Sequence, residues 1–133
     1  MLMADFKKLE VWQRAHLLAL TAHRIGIGIR GAEYRSLRSQ IIRAAMSIPT
    51  NIVEGREQRT EPEFDRFLYY ALGSTSELEY HLIAAREIEV IEAEDYVAAI
   101  TLVKQVRMML IGLLKKLDLP NNRAGSKKKL AHG

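Results

Sequence analysis

Apolar residues recur every three or four positions along most of the chain, which is the period of an amphipathic α-helix. The pattern covers four stretches, at about residues 6–29, 32–57, 60–89 and 92–116. Short connections separate these stretches, so neighbouring helices are expected to run antiparallel. The sequence therefore predicts an all-α fold, an up-down-up-down antiparallel four-helix bundle at residues 1–119, followed by a basic flexible tail at residues 120–133.

Signals at the ends of the stretches agree with helices. Asp5 is suited to cap the first helix, because a short carboxylate accepts hydrogen bonds from the free amides of a first turn. Thr60 and Glu63 have the spacing of a capping box at the start of the third helix. The fourth helix begins with acidic residues and ends with Lys115 and Lys116, which complements the helix dipole.

Two features interrupt the ordinary pattern inside the second and third helices. Pro49 lies within the apolar period of the second helix, where the missing amide predicts a kink rather than an end. Gly73, Ser74 and Ser76 are small residues in the middle of the third helix. Because small side chains let two helix backbones approach closely, we expect this segment to pack tightly on the second helix.

Three polar residues lie near the apolar positions of the second helix, namely Gln40, Asn51 and Glu54. If they are buried, they need hydrogen-bond partners. Two interpretations are open at this point. The residues form a polar network that fixes the register of the bundle, or they belong to a surface that binds a ligand or a partner.

Length and composition narrow the class of protein. The chain has 133 residues, 48% hydrophobic and 27% charged, which suits one domain with one core. It contains no cysteine, which excludes disulfides and thiolate chemistry. No uninterrupted apolar run approaches the roughly 20 residues of a membrane helix, and the N-terminus does not resemble a signal peptide. We therefore expect a cytoplasmic protein without a membrane partner.

Charge is distributed unevenly along the chain. Residues 1–60 contain ten Lys or Arg and five Asp or Glu, whereas residues 61–120 contain six and eleven. Residues 121–133 add four basic residues and no acidic one. A basic half and an acidic half can pair within one chain or between copies arranged head to tail. The basic tail, expected to be disordered when unbound, suits phosphates, although a solubilising role explains it equally well.

Candidate catalytic and cofactor motifs are weak. Gly26, Gly28 and Gly31 match the dinucleotide fingerprint, but the preceding segment is helical and Asn51 stands where an acid is needed. A loosened helix end followed by a turn explains these glycines better. The chain has no Glu-x-x-His motif of the kind used in di-iron bundles, and its serines, histidines and carboxylates do not suggest a triad. We expect no enzyme activity, no cofactor and no metal.

Three segments of the chain resemble one protein family. They are FKKLEVWQRAHLLAL at residues 6–20, LRSQIIRAAMSIPTNIVEG at residues 37–55 and FLYYALGSTSELEYHL at residues 67–82. Together they resemble the four-helix bundle proteins encoded in intervening sequences of bacterial 23S ribosomal RNA genes, the S23 family. The chain departs from the usual pattern at Ile42, where Arg is common, at Val53, where Ala is common, and after Ala85, where the usual glycine-containing turn is missing.

The resemblance implies a small helical subunit that assembles as a ring-like homopentamer and has no established catalytic activity. Related bundles, the accessory variability determinant (Avd) proteins, serve diversity-generating retroelements, where they bind nucleic acid and a reverse transcriptase. The resemblance thus implies three partners: copies of the same chain, RNA or another nucleic acid, and a reverse transcriptase.

From these observations we predict an oligomeric, non-catalytic scaffold that binds RNA through phosphate contacts, with strong salt dependence and little sequence preference. A protein–protein adaptor of the same family without nucleic-acid binding is the alternative, and a purely structural protein is a third. For each arginine, a solvated or ion-paired role is the competing interpretation. The predicted nucleic-acid-binding residues are Arg35, Arg38, Arg43, Arg56 and Arg59 in and after the second helix, and Arg123, Lys127, Lys128 and Lys129 in the tail.

Overall fold

A computed structural model of the protein describes residues 5–117. It contains four α-helices, which are α1 (Glu10–Gly28), α2 (Arg35–Arg56), α3 (Glu61–Glu87) and α4 (Ala93–Leu117). Short 3-10 turns precede α1 and α2, at Phe6–Lys8 and Ala32–Tyr34. No strand occurs within residues 5–117, so the predicted all-helical fold with four helices is confirmed.

The four helices enclose one apolar core. Each helix packs on the next one in the chain and α1 also packs on α4, while α2 and α3 share the most extensive contact. Ser47 meets Ser74 and Gly55 lies against Phe64, so α2 and α3 run in opposite directions. Each large apolar side chain buried in such a core contributes about 1.5–3 kcal/mol. The largest fully buried ones are Leu18, Ile41, Ile48, Ile52, Leu68, Leu78, Leu82, Val103, Val106 and Leu110.

The first helix begins later than the sequence predicts. Asp5 caps the 3-10 turn instead of α1, and its carboxylate accepts a hydrogen bond from the backbone amide of Lys7 at 3.0 Å. The backbone is extended at Leu9, and α1 starts at Glu10. The local cap is therefore real, but it belongs to a separate short turn.

The third helix begins as predicted. The hydroxyl of Thr60 accepts a hydrogen bond from the backbone amide of Glu63 at 3.3 Å, which satisfies one of the free amides of the first turn. The side chain of Glu63 instead accepts from the guanidinium of Arg66 at 2.7 Å. One arm of the predicted capping box is therefore present, and an exposed ion pair takes the place of the other.

Helix α2 continues through Pro49, which is buried. A proline here removes the amide that would bond the carbonyl four residues earlier. The next two polar side chains add hydrogen bonds to the adjacent carbonyls: Thr50 Oγ1 donates to the Met46 oxygen and Asn51 Nδ2 to the Ser47 oxygen, each at 2.8 Å. The predicted continuity of the helix is confirmed, and these side chains reinforce the turn that contains the proline.

The expected tight packing of the small residues of α3 on α2 holds for only one of them. Ser74 Oγ lies 2.6 Å from Ser47 Oγ, so these two helices meet closely there. Gly73 and Ser76 do not take part, because Gly73 has open space where a Cβ would stand and Ser76 is exposed. The expectation was wrong for these two residues, since a position in mid-helix does not show which face the residue occupies.

A second close approach of α2 and α3 lies at Gly55. A Cβ added to this glycine would stand 2.8 Å from the ring of Phe64 and 3.0 Å from the Cβ of Phe67. These distances are shorter than ordinary van der Waals contact, and Phe64 is buried. Gly55 therefore allows the end of α2 to pack directly on the first turns of α3.

The turn between α3 and α4 places Glu89 in left-handed backbone, with φ of 65°. The end of α3 is closed by two hydrogen bonds of 3.0 Å, from the amide of Val90 to the carbonyl of Ala85 and from the amide of Glu89 to that of Arg86. Glycine is favoured in this conformation because it has no Cβ. The turn lies in the stretch between Ala85 and α4, where the sequence contains no glycine.

Helix α4 is, by length and composition alone, apolar enough to cross a membrane. The sequence expectation considered only uninterrupted apolar runs and therefore did not single it out. Length and composition are a weak indication, since a core helix of a bundle passes the same test. Val103, Val106 and Leu110 are fully buried in the core, whereas Val97 and Met108 are exposed.

Candidate nucleic-acid interface

The predicted arginines in and after α2 differ in exposure. Arg35, at the first position of α2, and Arg43, near its middle, are exposed, and Arg59 is exposed beyond its end. Arg38 and Arg56 are half-buried. The first three are therefore accessible to phosphates, whereas the other two are engaged with the protein itself.

Arg38 holds the connection between α1 and α2. Its guanidinium donates a hydrogen bond to the carbonyl of Ile29 at 2.5 Å and approaches that of Gly31 at 3.5 Å. Ile29 is buried, so this bond satisfies a carbonyl just past the end of α1 that would otherwise lack a partner. Gly31 has a φ of 106°, which glycine tolerates. Replacing Arg38 is therefore expected to disturb the fold as well as any bound ligand.

Arg56 covers the contact between α2 and α3. Its guanidinium carbon lies 5.5 Å from the centre of the Phe64 ring, within the range of a cation–π interaction. Because the same ring packs against Gly55, Arg56 closes the end of this contact. Its side chain thus has a structural role at the bundle surface.

The predicted basic residues do not form one cluster. Arg35 and Arg56 are at opposite ends of α2, about 32 Å apart along the helix axis. Arg43 lies between them, and Arg59 follows the helix. The predicted tail residues Arg123, Lys127, Lys128 and Lys129 lie outside the described residues.

A more compact group of cations lies where α1 begins and α4 ends. Lys8 and Lys116 line the same open groove of about 420 Å³, together with Glu10. Lys7 precedes Lys8 in the 3-10 turn and is exposed. We call Lys7, Lys8 and Lys116 the lysine end of the bundle. Glu10 in the groove and Asp5 at the start of the turn offset two of these three charges, so the group keeps an excess of one positive charge.

Sequence reasoning missed the lysine end because its members are far apart in the chain. The signal for it is the antiparallel direction expected for the first and last helices, which places the start of one beside the end of the other. The chain continues beyond Leu117 from this same end of the bundle. Residues 118–133, which include the basic residues of the tail, follow Leu117 in the sequence.

Two of the three polar residues of α2, Asn51 and Gln40, form side-chain hydrogen bonds within the bundle. Asn51 Nδ2 donates to Ser47 Oγ at 3.0 Å, and Ser47 Oγ in turn lies 2.6 Å from Ser74 Oγ. Gln40 donates to a serine one turn earlier in α2 at 3.1 Å, and Glu54 is exposed. The arrangement supports the interpretation that Ser47, Asn51 and Ser74 fix α2 against α3.

The weak catalytic and metal motifs also have structural explanations. Gly26 and Gly28 lie inside α1 rather than after a strand, and a Cβ on Gly26 would stand 2.8 Å from Ile42 of α2. His16 stacks on Trp12, with ring centres 4.9 Å apart. Among residues 5–117 no group of three or more His, Asp or Glu side chains is placed to hold a metal ion.

Helix α3 presents tyrosines on its outer side. Tyr69 and Tyr80 are 51% and 65% exposed, and Gly73 and Ser76 lie between them. The steps of four, three and four residues put all of them on one face of the helix. Tyrosine is enriched at protein interfaces, because its ring buries apolar area while its hydroxyl forms hydrogen bonds. We call these four residues the tyrosine face, a candidate surface for a protein partner.

Comparisons with known proteins agree with this architecture. The family model described as 23S rRNA-intervening sequence protein matches residues 7–112. The chain is also similar to a crystal structure of a protein of unknown function from the S23 ribosomal protein family of Bacteroides thetaiotaomicron VPI-5482. That structure has a TM-score of 0.74 and 24% identity, over 79% of this chain and 98% of the other, and the likeness shows the fold.

No protein with curated annotation matches the chain. The matched family is not a known enzyme family, in agreement with the weak catalytic motifs. The family match extends from the 3-10 turn before α1 almost to the end of α4. The chain therefore belongs to the 23S rRNA-intervening sequence protein family.

Proposed function

We propose that this protein is a non-catalytic, oligomeric scaffold that binds RNA through phosphate contacts, with the lysine end as the main contact. The observation that supports this is the grouping of Lys7, Lys8 and Lys116 at the end of the bundle from which the basic tail continues. Affinity for nucleic acid comes mainly from cations that neutralise phosphates, and such contacts do not read base sequence. The arginines of α2 are spread along the helix and suit one bound strand less well.

Assembly into a larger particle is part of the proposal. The chain has a formal net charge of +4, so the ring of five up-down bundles that the resemblance implies would carry about +20. Such a particle attracts polyanions more strongly than one subunit does. Its molar mass in solution tests the five-membered ring.

Fluorescence anisotropy with a structured RNA, at low and at physiological salt, tests the RNA contact. Three full-length variants divide the basic residues between them: Lys8→Gln with Lys116→Gln, Arg35→Gln with Arg43→Gln, and Lys127→Gln with Lys128→Gln and Lys129→Gln. We expect the lysine-end variant to lose affinity, and the slope of log affinity against log salt to fall by about 2. The α2 variant is the matched control, because it removes the same number of cations.

Other results of this experiment would place the RNA contact on different residues or exclude RNA binding. Loss of affinity in the tail variant alone would move the contact to residues 120–133, and loss in the α2 variant alone would return it to the arginines. If the unmodified protein shows no salt-sensitive binding, the nucleic-acid function is wrong.

The tyrosine face supports a second candidate function, a protein–protein adaptor without nucleic-acid binding of its own. The partner suggested by the resemblance is a reverse transcriptase. Co-expression followed by size-exclusion chromatography tests the pair. We expect Tyr69→Ser with Tyr80→Ser to abolish co-elution and Lys8→Gln with Lys116→Gln to preserve it, whereas co-elution that survives the tyrosine substitutions would contradict this surface.

A further inference from the structure

Exposed residues on one side of α4 are spaced symmetrically about the middle of the helix. Val97 is 59% exposed and Met108 is 73% exposed, although both are apolar. Thr101 and Gly112 lie on the same side of the helix, since steps of four, seven and four residues return to one face. We call Val97, Thr101, Met108 and Gly112 the α4 seam. The same steps are read from either end of the seam, so it can match a reversed copy of itself.

We propose that α4 pairs with α4 of a second copy of this chain, antiparallel about a two-fold axis that passes between Lys104 and Gln105. In this register Val97 lies opposite Gly112 of the second copy, and Thr101 lies opposite Met108. Two-fold contacts use the same surface on both subunits, so each of these pairs occurs twice. The pairing does not depend on the proposed RNA contact, although the two surfaces adjoin, because Gly112 lines the same groove as Lys8 and Lys116.

Each pair is complementary in size or polarity. A Cβ added at Gly112 would have nothing within 4 Å, so the space beside this glycine can receive Val97 of the second copy. The hydroxyl of Thr101 donates to the Val97 carbonyl of its own helix at 2.8 Å, which leaves its methyl group for Met108. Lys104 lies opposite Gln105, whose amide carbonyl can accept a hydrogen bond from the ammonium group. The two Lys104 side chains also flank the axis, so these hydrogen bonds offset their mutual repulsion.

Charge determines the direction of the pairing. Helix α4 carries Glu94 in its first turn and Lys115 in its last, and both side chains are exposed. The antiparallel register places Glu94 opposite Lys115 of the second copy at each end of the seam. A parallel pair would bring Glu94 beside Glu94 and Lys115 beside Lys115, which is repulsive.

Helix α1 widens the apolar surface beside the seam. Leu17 is 42% exposed and lines an open groove with Met109 of α4. Its area adds to the area that α4 alone would bury, which favours a stable contact. A five-membered ring uses heterologous contacts, so the α4 pairing is separate from it and joins either two chains or two rings.

Sedimentation analysis of the full chain over a wide concentration range tests the pairing. Gly112→Gln fills the space for Val97 and raises helix propensity, so the subunit stays folded while the pairing weakens about tenfold or more. Gly28→Gln is the matched control, because Gly28 is also a helix glycine with open space beside it and lies outside the seam and the tyrosine face. We expect Gly112→Gln to halve the particle mass and Gly28→Gln to leave it unchanged.

Exchanging the charged residues provides a second test that does not touch the seam. Glu94→Lys and Lys115→Glu are each expected to weaken the pairing several-fold, because each creates two like-charged pairs. The double variant restores opposite charges across the axis and is expected to recover the affinity. If the double variant is weaker than both single variants, Glu94 and Lys115 do not meet.

Disulfide trapping tests whether the two α4 helices run antiparallel. The chain has no cysteine of its own, so any cross-link comes from the introduced cysteine. Gln105→Cys lies next to the axis and is expected to cross-link with its own copy under oxidising conditions. Val97→Cys is expected to remain uncross-linked, since its two copies would be about 22 Å apart along the helices. Cross-linking at Val97→Cys and not at Gln105→Cys would overturn the antiparallel pairing, as would an unchanged mass in Gly112→Gln.

Neutral phosphatidylcholine vesicles test whether a membrane occupies the seam instead. The pairing predicts that the protein does not float with such vesicles. Flotation that is lost in Met108→Glu would assign the exposed side of α4 to a lipid surface and overturn the proposal.

Discussion

Glu89 has a backbone conformation that side chains ordinarily avoid. Its φ is 65°, where the Cβ of an L-residue crowds the following carbonyl. Glycine relieves this strain, although it also gains freedom in the unfolded chain. We therefore expect Glu89→Gly to raise the free energy of unfolding by about 0.5–1 kcal/mol, measured by urea unfolding.

Glu87→Gly is the control for this prediction. Glu87 lies two positions earlier, at the last residue of α3, where glycine relieves no strain and weakens the helix by up to about 0.5–1 kcal/mol. The two substitutions should therefore change stability in opposite directions. A loss of stability in both would show that Glu89 is held by contacts stronger than the strain.

Features that depend on neighbouring residues were predictable from the sequence. The Thr60 cap needs only its spacing to Glu63, and the structure contains it. Asp5 also caps a first turn, but the sequence assigned it to α1, because a 3-10 turn of three residues leaves no trace in an apolar period. The missing glycine after Ala85 was visible, whereas the left-handed residue of the turn was not.

At the scale of helices, two mid-helix glycines have opposite surroundings. Gly55 is pressed against Phe64, whereas Gly73 has open space beside it. We expect Gly55→Ala to lower the free energy of unfolding by about 1–3 kcal/mol, because α3 must move away from α2. Gly73→Ala is expected to raise it by about 0.5–1 kcal/mol through helix propensity alone.

Thermal or urea unfolding of the two variants side by side measures this contrast. Each variant serves as the control of the other, since the chemical change is the same. If Gly55→Ala proves neutral, the contact between α2 and α3 is more adaptable than the distances indicate.

The contrast between these glycines also shows what the apolar period leaves undetermined. The number of helices follows from the period, because each stretch repeats it many times. The face that a small residue occupies depends on its angle to the buried residues around it, such as Leu68, Thr75 and Leu78. The prediction that Gly73 packs on α2 was wrong because it used only the position of this residue in the middle of α3 and not that angle.

At the scale of the whole molecule, one core joins all four helices, so unfolding should be a single transition. Trp12 is the only tryptophan and lies at the start of α1, with its ring centre 5.1 Å from that of Phe6 and 4.9 Å from that of His16. We expect its fluorescence and the far-ultraviolet circular dichroism to change at the same urea concentration. A fluorescence change at lower urea would show that the start of α1 unfolds separately.

Gly55→Ala provides the internal check on this prediction. The substituted residue lies at the contact between α2 and α3, far along the chain from Trp12. In a single transition it shifts both signals equally, whereas a shift in circular dichroism alone would contradict one cooperative unit.

The lysine end was not predicted, because it is a property of the complete arrangement. The sequence-based prediction considered the arginines of α2 alone. In the structure, Arg38 bonds a carbonyl in the α1–α2 connection and Arg56 lies over the Phe64 ring. Lys8 and Lys116 meet only because α1 and α4 lie side by side. The distribution of charge along the sequence does not show which helices are neighbours.

The same adjacency brings the two ends of the described chain to one end of the bundle. Contacts between helices do not depend on the order in which the chain connects them. A short linker between residues 117 and 5, with new termini opened between α2 and α3 at residues 57–60, would preserve every helix contact. The bundle is thus suited to circular permutation, and the order of its helices in the gene is one of several that specify the same molecule.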